Sequence, residues 1–169
     1  MRDGFVRSPC IPEPDVDQIR ADQRDRWEAA AAQWDDGIDL FYEASEPVSQ
    51  WLLDHVDVQP GDSVLELAAG RGDLSLACAE RGASVVCTDG AEAMVAVAER
   101  RAKAAGLEME CRQMELEWLD VPTASVDVIV CRFGYMLCVD PEAALRETRR
   151  ALRPGGRLAL AVWAPADQN

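Results

Sequence analysis

The sequence has a single histidine, His55, and none of its six cysteines stand in a Cys-x-x-Cys pair. The common zinc-site spacings are therefore missing, and we predict no metal site. No apolar run approaches the roughly 20 residues that span a bilayer, and residues 1–14 have no apolar core of a signal peptide. We therefore expect a cytoplasmic protein that makes no use of a membrane.

Basic side chains are scarce, because 17 Lys and Arg are outnumbered by 31 Asp and Glu, which gives a net charge of −14. No basic stripe exists that could neutralise phosphates, so the composition argues against a nucleic-acid partner. The acidic excess itself is typical of a solubility effect. Three of the cysteines, Cys87, Cys111 and Cys131, fall in predicted strands and are expected to behave as small buried hydrophobes.

The length of 169 residues fits one folded unit. Residues 1–20 are rich in Pro and acidic residues and are predicted to form a flexible tail. Residues 21–44 are predicted to form an N-terminal helical cap, because apolar residues recur at helical spacing from Ala21 to Trp34. The core is placed at residues 45–169, with Ser45 as the N-cap of its first helix.

Beyond the turn Pro60-Gly61-Asp62, strand and helix patterns alternate. Strands are predicted at Ser63–Leu67, Ser84–Thr88, Met109–Gln113, Val126–Cys131 and Arg157–Trp163, and helices at Asp73–Arg81, Ala91–Ala105 and Pro141–Leu152. Alternation of this kind indicates βαβ units and a mainly parallel sheet.

A glycine turn follows the first of these strands. Gly70 and Gly72 allow positive φ and close approach of a ligand, and the helix from Asp73 points its amide-rich end at the same place. Glu66 and Asp73 flank the turn, and two carboxylates suit a cationic group better than a pyrophosphate. S-adenosylmethionine has a sulfonium and an amino group, so the pattern favours it, although Gly-x-Gly alone is equally compatible with a structural turn.

Asp89 follows the second strand, about twenty residues after the glycine turn. An acid at this distance can hydrogen-bond both hydroxyls of a ribose. Asp is also a favoured helix N-cap, and both roles can coexist. Met94 lies one turn into the next helix, where it either packs on an adenine ring or fills the core.

In their order, these blocks resemble the class I S-adenosylmethionine-dependent methyltransferases, within the small-molecule group that includes the ubiquinone/menaquinone-biosynthesis type. The resemblance rests on Val64-Leu65-Glu66-Leu67-Ala68-Ala69-Gly70-Arg71-Gly72, Asp89, Met114-Glu115-Leu116-Glu117, Ser125–Gly134 and Leu152-Arg153-Pro154-Gly155-Gly156-Arg157-Leu158.

The resemblance implies a Rossmann-like three-layer αβα sandwich with a mainly parallel sheet of order 3-2-1-4-5. It also implies transfer of a methyl group from S-adenosylmethionine to a small-molecule acceptor. In the family, the acid of the Glu115 block reaches the adenine amino group and the backbone amide of the next residue reaches a ring nitrogen. The implied cofactor-binding residues are Glu66, Ala68, Gly70, Gly72, Asp89, Gly90, Met94, Glu115, Leu116, Cys131 and Arg132, and no catalytic residue is implied.

The sequence departs from the family pattern at three places. Ala68 stands where the family has the first glycine of its turn, so a positive φ there costs about 1 kcal/mol or more. Glu115 replaces the commoner Asp. The C-terminal antiparallel strand pair is lacking, which leaves the strand Arg157–Trp163 as an exposed edge. We therefore expect a homo-oligomer or a partner chain at that edge.

Two other functions remain open. A nicotinamide-dependent oxidoreductase would explain Gly70, Gly72 and Asp89 but leaves Glu66 and Glu115 without a role. A non-catalytic methyltransferase-like subunit that needs a partner to complete its sheet would explain the ending.

Overall fold

The computed structural model describes residues 15–36 and 39–168. The helices are α1 (Val16–Asp36), α2 (Asp39–Val56), α3 (Asp73–Glu80), α4 (Glu92–Ala105) and α5 (Pro141–Ala151), and a short 3₁₀ turn covers Tyr135–Leu137. The strands are β1 (Ser63–Glu66), β2 (Ser84–Asp89), β3 (Glu110–Gln113), β4 (Val126–Arg132) and β5 (Leu152–Ala161).

The five strands form one parallel sheet in the order β3-β2-β1-β4-β5. This confirms the predicted order and the alternation of strands and helices. The sheet is buried on both faces, because alternate residues of β1 and β4 belong to different core clusters. Val64 and Val128 pack with α2 and α3, whereas Leu65 and Ile129 pack with residues that include Ala144 and Ala151 of α5. The predicted three-layer αβα sandwich is therefore confirmed.

The predicted flexible tail is wrong over its last residues, since Val16 to Arg20 are the first turn of α1. The Asp15 carboxylate accepts the backbone amides of Asp17 and Gln18 at 3.2 Å, which caps the helix start. Arg20 then makes a side-chain hydrogen bond of 2.8 Å to Glu117 in the core. The remainder of the predicted tail, residues 1–14, lies outside the described residues.

The predicted boundary between a cap and a core at residues 44 and 45 is also wrong, because α2 runs through it. Ser45 is no N-cap. It lies inside the helix, where its buried hydroxyl donates to the Tyr42 carbonyl oxygen at 3.2 Å. Pro47 also lies in the interior of α2, although proline is typical of a first helical turn.

The last strand begins five residues before the predicted start and ends two residues before the predicted end. Leu152 already pairs with Val126 of β4, and regular pairing resumes at Arg157 after a register shift. This shift accommodates Pro154-Gly155-Gly156. Within the described residues, β3 and β5 are the two edges of the sheet, and no helix there is long and apolar enough to cross a membrane.

Ile129 is fully buried in β4, so the change Ile129→Ala should lower the free energy of unfolding by ~2–5 kcal/mol. Leu145, which is 45% exposed on α5, provides the matched control, and Leu145→Ala should change it by less than ~0.5 kcal/mol. Urea denaturation of both variants measures the two values. Equal losses would contradict the assignment of β4 to the centre of the core.

Candidate functional site

A cavity of about 330 Å³ opens at the carboxyl ends of β1, β2 and β4. Chain order reverses between β1 and β4, because β1 continues to β2 on one side whereas β4 enters on the other. Crevices at such switch points are where open parallel sheets bind ligands. The volume lies in the range of small-molecule sites.

The glycine turn after β1 forms the floor of this cavity. Gly70 and Gly72 have positive φ, at 55° and 79°, which confirms the prediction for this turn. Ala68 also has a positive φ, 50°, and therefore carries the strain that this conformation costs a residue with a side chain. The Gly70 amide donates to Asp89 Oδ2 at 2.8 Å, which fixes the turn against the end of β2. A Cβ on Gly70 would lie 3.7 Å from the Tyr42 hydroxyl, inside the cavity.

The Asp89 carboxylate ties two loops together. While Oδ2 accepts the Gly70 amide, Oδ1 accepts the Ala91 amide at 2.9 Å. Burial raises the pKa of Asp89 and outweighs the two amides, which lower it. Each oxygen has a second lone pair, so the carboxylate can accept further hydrogen bonds from a diol in the cavity. Asp89 does not cap α4, whose N-cap residue is Ala91.

Glu66 is almost completely buried at the end of β1, and it lines the cavity. Its Oε2 accepts the Ser75 amide at 2.7 Å, within the first turn of α3. Burial raises the pKa of Glu66 to about 7 despite this hydrogen bond and the nearby Arg132. A carboxyl group with this pKa titrates in the neutral range, and a cation placed beside it would favour its ionised form.

Asp73, at the start of α3, is surrounded by arginines. Arg71 Nε lies 3.1 Å from Oδ2, Arg101 Nη2 lies 2.9 Å from Oδ1, and Arg132 Nη2 lies 3.7 Å from Oδ2. The prediction that Glu66 and Asp73 together suit a cationic group is therefore wrong for Asp73. Three guanidinium groups compensate it, and one of them, that of Arg132, lines the cavity, where it can donate to an anion.

Tyr42 of α2 packs against two of these arginines. The guanidinium carbon of Arg71 lies 3.5 Å from the ring centroid and that of Arg132 lies 5.2 Å from it. Arg132 also donates to Ser49 Oγ at 2.5 Å. Desolvation raises the pKa of Tyr42 to about 12, so its hydroxyl stays protonated and can donate a hydrogen bond in the cavity.

At the opposite end of the cavity, Gly90 and Glu115 are close neighbours. A Cβ on Gly90 would lie 3.1 Å from Glu115 Oε2, so glycine allows the carboxylate to approach this backbone. Arg24 Nη1 lies 3.6 Å from Glu115 Oε1. Leu116, the next residue, also lines the cavity.

Helix α1 covers this end through residues spaced four apart. Arg20 Nε donates to Glu117 Oε2 at 2.8 Å, and Arg24 approaches Glu115. Glu117 is buried, and its Oε1 also accepts the Asp140 amide at 2.5 Å. The pair Arg20–Glu117 thus links α1 to the loop that precedes α5.

A third side chain of α1, the carboxylate of Glu28, caps the start of α4. Glu28 accepts the backbone amides of Glu92 at 2.6 Å and of Ala93 at 2.8 Å. These are orphan donors of the first turn of α4, which makes no side-chain cap hydrogen bond of its own. A carboxylate at this point also interacts favourably with the helix dipole.

The mouth of the cavity is apolar. Phe133 and Trp163 stack with ring centroids 4.9 Å apart and planes inclined by 6°. Met136 and Leu137 lie beside them on the lining and are partly exposed. Such a rim suits an apolar or planar molecule.

Of the eleven sequence-predicted cofactor residues, nine line the cavity together. They are Glu66, Ala68, Gly70, Asp89, Gly90, Met94, Glu115, Leu116 and Arg132. The other two, Gly72 and Cys131, are not brought to the lining. Gly72 is the N-cap of α3, and the Cys131 side chain is buried in the core. Met94 fills the core, where it packs with Trp27 and Ala31, and it also lines the cavity, so its packing on an adenine ring stays a prediction.

Sequence reasoning missed the arginines around Asp73 and the contacts of α1. The contacts of α1 had a signal in the sequence, the spacing of Arg20, Arg24 and Glu28 at successive helical turns. The arginines around Asp73 had none, because they come together only in the folded chain. Within residues 15–36 and 39–168, no group of three or more His, Cys, Asp or Glu is arranged to hold a metal ion.

The raised pKa of Glu66 predicts a pH-dependent stability. Because the pKa of Glu66 in the folded state, about 7, exceeds its ordinary value of 4.5, the native state keeps the proton to a higher pH than the unfolded chain does. The protonated Glu66 carboxyl therefore stabilises the fold. This stabilisation is complete below about pH 4.5 and is lost as the pH rises through 7. Glu66→Gln removes it. The wild type should therefore lose stability relative to the variant as the pH rises. We expect the difference in free energy of unfolding, variant minus wild type, to increase by about 3 kcal/mol between about pH 4.5 and 8. A constant difference across this range would contradict the pKa assignment.

Comparison with known proteins gives a consistent result. A family described as a methyltransferase domain matches residues 64–156, more than half of the chain. A demethylmenaquinone methyltransferase of Thermus thermophilus is 41% identical over 104 residues, which are 60% of this chain and 47% of that protein. A ubiquinone biosynthesis O-methyltransferase of Idiomarina loihiensis is 34% identical over 137 residues, 79% of this chain and 56% of that protein. The chain spans about half the length of these relatives.

Among solved structures, a similar fold occurs in a Haloferax volcanii chain described as a methyltransferase, in complex with the Trm112 methyltransferase activator. The TM-score is 0.68 and the identity 27%, over 80% of this chain and 59% of that one. The family match covers β1 to the turn within β5, including the glycine turn, Asp89 and Glu115. The chain belongs to the methyltransferase domain family.

Proposed function

We propose that the cavity binds S-adenosylmethionine and that the chain transfers its methyl group to a small-molecule acceptor, leaving S-adenosylhomocysteine. The main observation in favour is the Asp89 carboxylate, which is held by two backbone amides beside the glycine turn and still faces the cavity. It is positioned to accept both hydroxyls of a ribose.

The end of the cavity below α1 suits the adenosine part of the cofactor. Met94 offers an apolar surface for a ring, and Glu115 offers a carboxylate for an exocyclic amino group. Leu116 follows Glu115 and would direct a backbone amide to a ring nitrogen. The contact between Arg24 and Glu115 at 3.6 Å is long enough to leave the carboxylate accessible.

The opposite end has the charges for a zwitterionic amino-acid group. Glu66 would interact with the ammonium group, which would lower the raised pKa of the Glu66 carboxyl. Arg132 lines the cavity with a guanidinium that has five donors, so it has donors left for a carboxylate beyond its contacts with Ser49 and Asp73.

A nicotinamide dinucleotide fits less well. A pyrophosphate uses the free amides at the start of the helix after the glycine turn, but the Ser75 amide of α3 already donates to Glu66 at 2.7 Å. A pyrophosphate would meet the Glu66 carboxyl at this position.

When bound, the cofactor supplies an electrophilic methyl group on a sulfonium. The chain's own contribution would be placement and exclusion of water, which account for much of the rate in such reactions. Phe133, Trp163 and Met136 would hold the acceptor at the mouth. We propose no general base.

The edge strand β5 supports a second proposal, association with another chain. Leu158, Val162 and Trp163 are between 38% and 55% exposed along and beyond this strand, and an open apolar edge favours strand addition. The occupant would be a second copy or a partner chain that adds a strand beside β5. A concentration-independent monomer would contradict this.

We further propose a cytoplasmic location. The described cysteines Cys78, Cys87, Cys111, Cys131 and Cys138 are all free thiols, which suits a reducing compartment.

Calorimetry tests the proposed cofactor. S-adenosylhomocysteine should bind with a Kd at least 100-fold below that of NAD under the same conditions, a difference of about 2.7 kcal/mol. Equal affinities, or tighter binding of NAD, would overturn the proposal.

Asp89→Asn should weaken S-adenosylhomocysteine binding by ~1.5–3 kcal/mol, because an amide nitrogen replaces one of the two acceptor oxygens. The same change disturbs one backbone hydrogen bond, so thermal unfolding must first show that the variant is folded at the assay temperature. A folded variant with wild-type affinity would exclude Asp89 from ribose binding.

Arg132→Gln should weaken S-adenosylhomocysteine binding at least tenfold, about 1.4 kcal/mol, while methylthioadenosine, which lacks the amino-acid group, should bind within about twofold of wild type. Retained methylthioadenosine binding also controls for folding. Arg146→Gln, at a side chain 67% exposed on α5, is the matched control and should change neither affinity. Equal weakening of both ligands would contradict the role of Arg132.

A further inference from the structure

Cys87 of β2 and Cys111 of β3 are register partners in the parallel sheet. Neighbouring strands lie about 4.8 Å apart, and a disulfide bridges Cα atoms separated by roughly 4.4–6.8 Å. Both side chains lie on the same face, since they pack into one cluster with Ala69 and Ala98.

The two thiols differ in their exposure to solvent. Cys87 is 2% exposed, whereas Cys111 lies on the edge strand and is partly exposed. Interaction with the Cys87 thiol lowers the pKa of Cys111, and the same interaction, together with burial, raises the pKa of Cys87. Cys111 is therefore the thiol that ionises first and that a solute can reach, and thiolate character with access favours oxidation.

We propose that Cys87 and Cys111 form a dithiol site that a hydroperoxide oxidises reversibly to a disulfide. The Cys111 thiolate attacks the peroxide and becomes a sulfenic acid, with release of hydroxide. The Cys87 sulfur then attacks the Cys111 sulfur, the S–O bond breaks, and water leaves. In total, two thiols and one hydrogen peroxide give one disulfide and two waters, and a reducing thiol reverses the reaction.

In the chain, each cysteine of the dithiol site comes shortly before a proposed cofactor contact. Two residues after Cys87 comes Asp89, and Glu115 follows shortly after Cys111. Cys87 Sγ also lies 3.4 Å from the position of a Cβ on Gly72, at the glycine turn. Forming the S–S bond moves both sulfurs, and with them the ends of β2 and β3. The disulfide should therefore reduce cofactor affinity, and this consequence rests on the proposed function.

The test treats the chain with stoichiometric hydrogen peroxide and measures intact mass. A loss of about 2 Da, two hydrogens, is expected, with a single Cys87–Cys111 linkage in a non-reducing peptide map and recovery with dithiothreitol. Cys87→Ala should instead retain an oxygen adduct on Cys111 that dimedone traps. Cys138→Ala, at a partly exposed cysteine outside the pair, is the control and should still form the linkage.

Peroxide adducts without the linkage, or a linkage between other cysteines, would overturn the dithiol site. The expected loss of cofactor affinity is tested separately. The Kd of S-adenosylhomocysteine should rise at least fivefold in the oxidised chain and should not rise in peroxide-treated Cys87→Ala. A disulfide that leaves the Kd unchanged would overturn the coupling to the cavity. If the reduced chain binds no S-adenosylhomocysteine, the proposed function fails, whereas the mass measurement still decides the dithiol site.

Discussion

Burial of the central strands on both faces is the constraint on which the rest of the structure depends. Val64 and Leu65 of β1 and the residues from Val128 to Cys131 of β4 are fully buried. A strand in this position has no solvent face for polar residues. Charged side chains that interact with a ligand must therefore stand at its ends. Glu66 and Arg132, the last residues of β1 and β4, meet this condition, and both stand at the carboxyl ends of the strands.

The sequence was informative wherever a local pattern determines the structure. Alternating strand and helix patterns located the strands, and Gly70 and Gly72 marked the turn of positive φ after β1. Prediction failed where a residue has two common roles. Ser45 favours a helix start, yet packing of α2 against the core places it inside a helix. Packing energy exceeds the small local preference in such cases.

One end of the candidate site could be predicted from the sequence better than the other. Asp89 and Glu115 could be found because each follows a strand closely. The three arginines around Asp73 come from a turn, from α4 and from the end of β4, so no window of sequence contains them. One of them, Arg132, lines the cavity, although the net charge of the chain is −14. Composition therefore did not show where single positive charges lie within the site.

The contact of Glu28 with the start of α4 makes two distant segments one cooperative unit. The amides of Glu92 and Ala93 are protected by a carboxylate from α1, so their hydrogen exchange reports on α1 rather than on α4 alone. Any local unfolding of α1 frees these donors and frays the helix that follows Asp89 and Gly90. The loop that holds Asp89 and Gly90 is therefore only as ordered as α1, and a fragment that begins after α1 would lack the carboxylate that caps α4.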